Sequence, residues 1–153
     1  MEIFTDYFDS PLGIIEITAD KNSLCSLFFV NKKQISYNTN DILKNTKEEL
    51  KGYFDGNLRQ FSIPLNIKGT KFERDVYNEL LKIPYGKTCS YKDIAISIGK
   101  ENSYRAVGNA NGKNDISIII PCHRVITHNN KLGGYGGGLD IKIALLKLEG
   151  ALR

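Results

Sequence analysis

Residues 118–126 read Ile-Ile-Ile-Pro-Cys-His-Arg-Val-Ile, two apolar runs joined by a thiol, an imidazole and a guanidinium. The isoleucines are β-branched, and such a run predicts a buried strand. Pro121 has no backbone N–H to donate, so the hydrogen bonding of that strand should end there. The segment therefore predicts a strand that holds the thiol of Cys122 in a fixed place at its end.

The residues beside Cys122 suit a reactive thiol. A thiol attacks as its thiolate, which a nearby cation or base favours, and His123 and Arg124 are of those types. Neighbours in an extended strand point to opposite faces, so contact between Cys122 and His123 requires a turn or a bridging water. Because free cysteine is among the most buried residue types, the pair alone also fits an inert core thiol beside surface residues.

The composition is that of an ordinary globular protein. The chain has 153 residues, of which 41% are hydrophobic and 25% charged. It has no apolar run near the ~20 residues that span a bilayer and no signal-peptide pattern at its start, so we expect a cytoplasmic protein without a membrane partner. Three scattered cysteines and two histidines predict neither a disulfide framework nor a zinc site.

The positive charge is concentrated in the second half of the chain. Residues 1–66 hold 7 Lys and Arg against 9 Asp and Glu, a net −2, and residues 67–153 hold 14 against 8, a net +6. Together they give the overall +4. A basic half favours a polyanionic partner such as DNA, because phosphate contacts release counterions. A solvated basic surface would carry the same charge.

The first half predicts a small α+β scaffold domain over residues 1–66. Three apolar, β-branched stretches separated by turn residues predict an antiparallel meander, with strands over residues 3–8, 13–19 and 24–30. Asn40 is a good N-cap for a helix from Asp41 to about Phe54. No catalytic pattern occurs in this half, and the boundary with the second domain is placed near Asn66.

The second domain, residues 67–153, is predicted to be mainly helical. Polar capping residues at Thr70, Ser90 and Ser103 predict three helix starts, and Gly150 a helix end. The predicted helices cover residues 71–82, 91–98, 104–112 and 140–149. The second and third, joined through Gly99, form a helix-turn-helix pattern, in which the later helix enters a DNA groove. Many helical hairpins share this pattern.

Two features near the end of the chain fit a binding site. Residues 127–138 include five glycines around Tyr135, and such a backbone can approach a flat ligand closely. A flexible linker is the alternative. Glu149 falls in the last turn of a predicted helix, where a carboxylate opposes the helix dipole. Pairing with His123 would explain that position, although a solvated terminal carboxylate is also common.

The segment Pro121-Cys122-His123-Arg124-Val125 resembles the active-site motif of the O6-alkylguanine-DNA alkyltransferases, suicide DNA-repair proteins. The resemblance runs from about Thr70 to Gly150, half of the chain. Its other motifs, in order, are Arg105-Ala106-Val107-Gly108, Asn114, Gly133-Gly134-Tyr135 and Leu148-Glu149-Gly150. It implies a ribonuclease H-like N-terminal domain and a winged-helix-like C-terminal domain.

The same resemblance assigns roles to residues of the site. Cys122 would accept the alkyl group of O6-alkylguanine, and the sequence leaves open whether O4-alkylthymine is a substrate as well. His123 would act as base through a water, polarised by Glu149, while Asn114 braces the chain near the thiol. Tyr91 would protonate the leaving guanine. The guanine itself would be held by Tyr135, Gly133, Gly136 and Gly137.

The DNA contacts follow from the resemblance as well. Arg105 would fill the gap left by a flipped nucleotide, and Tyr91 would rotate its phosphate. The small residues Ala106 and Gly108 would let the helix enter the minor groove, with Arg124 as a further DNA contact. The implied partner is double-stranded DNA bound by a monomer without a cofactor. A non-catalytic helix-turn-helix module that binds alkylated DNA, or a cysteine hydrolase, are the other readings.

Overall fold

The computed structural model describes residues 2–152, and the chain divides into two compact units between Asn66 and Ile67. The first unit contains β1 (Phe4–Ser10), β2 (Gly13–Ala19), β3 (Leu24–Val30) and α1 (Asp41–Phe54). The second contains α2 (Lys71–Leu80), β4 (Cys89–Ser90), α3 (Tyr91–Ser97), α4 (Tyr104–Gly112), a 3-10 turn (Cys122–Arg124), β5 (Val125–Ile126) and α5 (Leu139–Leu148). None of the helices described over residues 2–152 has the length and apolar character needed to cross a membrane.

The first unit is the predicted meander with a helix packed on it. Its strands pair antiparallel in the order β1-β2-β3. The side chain of Asn40 accepts a hydrogen bond from the backbone N–H of Leu43, so the predicted cap of α1 is confirmed. The core is mainly aliphatic with two tyrosines, Tyr7 and Tyr53, and its fully buried aliphatic members include Ile15, Ile17, Leu27, Leu43 and Leu50.

Three helices of the second unit begin at the predicted residue and α5 begins one residue earlier, at Leu139, with one difference in capping. Thr70 and Ser90 both form reciprocal capping boxes, with Glu73 and Asp93. Ser103 precedes α4 but makes no side-chain cap bond. Its φ and ψ of −99° and 23° are not the extended conformation in which an N-cap side chain reaches the first turn.

The prediction of a strand that ends at Cys122 is wrong. The chain from residue 117 to residue 120 forms a turn and a bend, and Ile118 has a φ of 72°. Positive φ is unusual for a β-branched residue and costs conformational free energy. Burial of the Ile118 side chain offsets this cost, because only 1% of the residue is exposed. The β-branched run therefore marked a buried segment correctly and its conformation incorrectly.

Candidate active site

The thiol of Cys122 lies in the 3-10 turn and is 4% exposed. The turn replaces the alternation of a strand, so consecutive side chains of residues 122–124 diverge by about a third of a turn. Burial raises the pKa of the Cys122 thiol, and the nearby Asn114 amide and Lys142 ammonium offset this only in part. The thiol is therefore protonated at neutral pH and needs a base in order to react.

Asn114 holds the turn that leads to Cys122. Its amide nitrogen donates to the carbonyl oxygen of Ile120 at 2.9 Å and of Ile116 at 3.3 Å. Its amide oxygen accepts from the N–H of Ile116 at 3.0 Å. These three bonds satisfy backbone groups that a strand ladder would otherwise have paired. They are also the local reason for the bent conformation of the isoleucine segment.

His123 and Glu149 form a fully buried pair. His123 Nε2 lies 2.7 Å from the Glu149 carboxylate, so the helix-end carboxylate has the partner that the sequence predicted. Burial lowers the pKa of His123, although the Glu149 carboxylate acts in the opposite direction. The second ring nitrogen, Nδ1, has no hydrogen-bond partner among residues 2–152. A neutral imidazole with Nε2–H on Glu149 leaves Nδ1 with a lone pair that can accept a proton.

Arg124 is the third member of this cluster, and its burial argues against the predicted contact with DNA. Only 7% of Arg124 is exposed. Its Nε donates to Glu149 at 2.7 Å, Nη2 donates to the same carboxylate at 3.0 Å, and Nη1 donates to the carbonyl of Ile83 at 2.8 Å. The guanidinium also lies over the ring of Tyr85, 5.8 Å from its centroid. These three hydrogen bonds all lie inside the domain.

A pocket of about 460 Å³ lies next to Cys122, because its lining residues Asn111 and Tyr135 contact that residue. It has the size of a small-molecule site. The residues that line it are Tyr91, Gly108, Asn111, Gly112, Thr127, Gly133, Gly134, Tyr135 and Gly136. Gly137, which was predicted to contact the guanine, is not among the described residues that line this pocket. The mainly glycine wall leaves room for a flat ring, while two tyrosines and an asparagine supply polar groups.

Tyr91 and Tyr135 are the two tyrosines of that lining. Gly133 has a φ of 71°, and a Cβ there would lie 3.0 Å from the Tyr91 hydroxyl oxygen, so only glycine fits. Burial raises the pKa of Tyr91 and of Tyr135, so both hydroxyls stay protonated. The Tyr135 hydroxyl lies near the thiol of Cys122. A ligand in this pocket is therefore within reach of hydroxyl donors and close to the nucleophile.

Helix α4 presents a different surface. Arg105 and Ala106 are exposed, while Gly108 is half-buried. A Cβ atom added at Gly108 would lie 3.8 Å from the Tyr91 ring. Helix α3, which precedes α4 as in a helix-turn-helix, packs against it. The structure therefore places the predicted DNA contacts, other than Arg124, on a surface next to the pocket.

Two family models match the chain over nearly its whole length. The ribonuclease-like domain of 6-O-methylguanine DNA methyltransferase matches residues 3–67, and the DNA-binding domain of the same family matches residues 71–151. The chain belongs to the 6-O-methylguanine DNA methyltransferase family. The methylated-DNA–protein-cysteine methyltransferase of Methanosarcina barkeri is 45% identical over 153 residues, covering 96% of this chain and 97% of the relative.

Solved structures of 6-O-methylguanine DNA methyltransferases share the fold. The O6-methylguanine methyltransferase of Mycobacterium tuberculosis has a TM-score of 0.88 and 38% identity, covering 99% of this chain and 95% of that one. The Mycobacterium tuberculosis OGT structure in complex with DNA has a TM-score of 0.85 and 42% identity, with coverage of 95% and 91%. The predicted family and the predicted α+β class are both confirmed.

Lys142 is the main residue of this methyltransferase site that sequence reasoning missed. It is fully buried, and its ammonium donates to the carbonyl oxygens of Val125 at 2.7 Å, Gly134 at 3.1 Å and Leu132. It therefore ties the glycine loop to β5. Burial lowers its pKa to about 8. Its burial could have been inferred from its spacing, because it lies three residues before Leu145 and seven before Glu149, on the inward face of α5.

The buried histidine predicts a loss of stability in mild acid. The pKa of His123 is lowered from 6.5 in the folded chain, so between the folded value and 6.5 the unfolded chain binds a proton that the folded chain does not. The free energy of unfolding should fall as the pH drops below 6.5, by up to ~1.4 kcal/mol per pH unit. Urea unfolding between pH 7.5 and 5 measures this, in roughly half-unit steps.

His123→Gln should flatten that profile, whereas His128→Gln should keep it, because His128 is the exposed histidine of the chain. The carboxyl groups of Asp6, Asp20 and Glu73 have pKa values lowered from 3.8, 3.8 and 4.5, so their contributions are lost mainly below this window. Lys142, with a pKa of about 8 in the folded chain, contributes near the upper end of the window and is present in both variants. A His123→Gln profile as steep as that of the wild type would show that another group takes up the proton.

Proposed function

We propose that this chain repairs DNA by moving the alkyl group from O6 of an alkylated guanine in double-stranded DNA to the sulfur of Cys122. The carbon–oxygen bond of the lesion breaks and a carbon–sulfur bond forms. The thiol proton leaves through His123, and the guanine that departs takes up a proton. The thioether is not hydrolysed by water, so each molecule acts once. The main support for this proposal is the buried thiol of Cys122 beside a pocket, followed in the chain by His123, whose imidazole is paired with Glu149.

The first step is removal of the thiol proton. Burial keeps Cys122 protonated, and His123 Nδ1 is the base that a water can connect to it. Glu149 accepts from Nε2 and so fixes the tautomer, and Arg124 fixes Glu149 by two bonds. The carboxylate also stabilises the imidazolium that forms. Glu149 and Arg124 are therefore positioning residues, and Cys122 and His123 carry the reaction.

The second step is departure of guanine. A leaving guanine needs a proton or a hydrogen-bond donor at the moment the bond to carbon breaks. Tyr91 fits this role, because its hydroxyl is protonated and faces Gly133 at the pocket wall. Tyr135 and the backbone of Gly133 and Gly136 would hold the ring. Lys142 supports that loop through its bond to Gly134.

The base can reach the pocket only after leaving the stack, which costs a few kcal/mol. Inserting a side chain into the gap and entering from the minor groove lower that cost. Arg105 and Ala106 are exposed on α4, and the half-buried Gly108 adds little bulk there. We assign Arg105 to the gap and α4 to the groove.

We expect Arg105→Ala to slow transfer from a duplex by roughly ten- to hundredfold. Without the arginine side chain, nothing fills the gap that the flipped base leaves in the stack, so the flipped state is less stable. Transfer from O6-alkylguanine supplied as the free base should be unchanged, since nothing has to be flipped. Single-turnover rates on the two substrates measure the ratio. Lys147→Ala, which removes one exposed charge from α5, serves as the control and should keep both rates. Equal slowing on both substrates would contradict the assignment.

The proposed function is tested by mixing the chain with a duplex that carries one O6-methylguanine. Intact mass should rise by one methylene, and peptide mapping should place the change on Cys122. A second dose of duplex should add nothing further. No mass change, together with tight binding of the duplex, would instead support the non-catalytic lesion-binding module.

A further inference from the structure

Asn111 lies at the pocket wall and has no role in the mechanism above. It is on α4, 5% exposed, and lines the same pocket as Tyr91 and Tyr135. Its amide nitrogen donates to the backbone carbonyl of Cys122 at 3.2 Å. A buried asparagine is thus fixed directly to the residue that carries the nucleophile.

The bond to Cys122 decides which way the amide faces. A backbone carbonyl can only accept, so the nitrogen of Asn111 must face Cys122 and the oxygen must face elsewhere. That oxygen, Oδ1, is buried and has no hydrogen-bond partner among residues 2–152. Buried acceptors are nearly always paired, because leaving one unpaired is costly. An unpaired acceptor on a residue of the pocket wall therefore points to a donor on the ligand.

The other polar side chains of the lining have different capabilities. Tyr91 and Tyr135 carry protonated hydroxyls, which can donate. Thr127 donates to and accepts from groups of its own loop, at Asn129 and Lys131. Among the lining side chains, Asn111 therefore supplies an acceptor that cannot also donate at the same atom.

The substrate offers few donors to such an acceptor. Alkylation of O6 removes the proton from N1 of guanine, so the exocyclic 2-amino group is the only N–H donor of the base ring. We propose that Asn111 Oδ1 accepts a hydrogen bond from this 2-amino group and so selects alkylated guanine over bases that lack it. This rests on the proposed function, since it names the part of that substrate which Asn111 reads. O6-alkylhypoxanthine and O4-alkylthymine have no such amino group and lose the contact.

The test crosses one change in the protein with one change in the substrate. Single-turnover transfer to Cys122 is measured for the wild type and for Asn111→Leu, each on duplexes with O6-methylguanine or O6-methylhypoxanthine at the same position. The wild type should prefer the guanine by at least about tenfold, since a site that binds a donor rejects the analogue without it. Asn111→Leu should retain roughly a threefold preference or less. Differences in the cost of flipping cancel in this cycle.

Asn109→Leu is the matched control, because Asn109 is an exposed asparagine on the same helix and should keep the full preference. Equal slowing of Asn111→Leu on both substrates would overturn the proposal and leave Asn111 as a support for the Cys122 backbone. A wild type that does not discriminate would overturn it as well. If Asn111→Leu does not fold, Asn111→Ser is measured in its place. Absence of transfer from either duplex by the folded wild type would instead overturn the proposed function.

Discussion

Cys122→Ala is expected to abolish alkyl transfer while leaving the fold and the binding of duplex DNA intact. The variant removes the sulfur to which the carbon becomes bonded, so no residual chemistry at residue 122 is possible. The side chain is small and buried, and the DNA contacts proposed for α4 do not involve it. Intact mass after incubation with methylated duplex should therefore be unchanged, whereas a gel-shift assay should give the affinity of the wild type.

The two other cysteines provide matched controls. Cys25 is buried in the first unit, and burial raises the pKa of Cys89 to about 11, which leaves very little thiolate at neutral pH. Cys25→Ala and Cys89→Ala should each accept one alkyl group at the wild-type rate. A modified peptide that contains Cys25 or Cys89, or continued labelling of Cys122→Ala, would disprove the assignment. The cysteine-hydrolase reading predicts a different result, repeated turnover of an ester or peptide.

The sequence predicted best those features that depend on nearby residues. The two capping boxes, Thr70 with Glu73 and Ser90 with Asp93, each lie within four consecutive residues. Both partners are therefore visible in one short stretch of sequence. The isoleucines of residues 118–120 show the limit of such reasoning. Their β-branched side chains report burial, and a short apolar run has too few residues to show a period. The bonds from Asn114 that bend this segment had no local sequence signature.

The site was predictable where chemistry forced an unusual placement. The unfavourable position of a carboxylate at a helix C-terminus drew attention to Glu149, the family resemblance assigned it to His123, and the two side chains are hydrogen-bonded. The burial of Arg124 and of Lys142 was not foreseen, because charged side chains are ordinarily exposed. Their partners are a carboxylate and carbonyl groups distant in sequence, such as Ile83. Burial of this kind depends on the tertiary fold, which local patterns do not contain.

Glu149→Gln is expected to lower both stability and the rate of transfer, through two different partners. The carboxylate is the counter-charge of buried Arg124, and removing one member of a buried ion pair costs about 3–5 kcal/mol. The same carboxylate orients His123 and stabilises its protonated form, so transfer should slow by roughly a hundredfold. Binding of DNA should change little. Urea unfolding, single-turnover transfer and gel shift measure the three quantities.

Arg124→Met separates the two effects, because it leaves Glu149 on His123 while removing the charge that Glu149 balances. Arg124→Met alone should lose stability by an amount similar to Glu149→Gln and should retain more of the transfer rate. In the double variant the uncompensated buried charge is gone, so the loss of stability should be smaller than the sum of the single losses. The transfer rate should stay low, since the imidazole still lacks its carboxylate. Recovery of the rate together with stability would show that Glu149 supports the fold alone and has no part in activating His123.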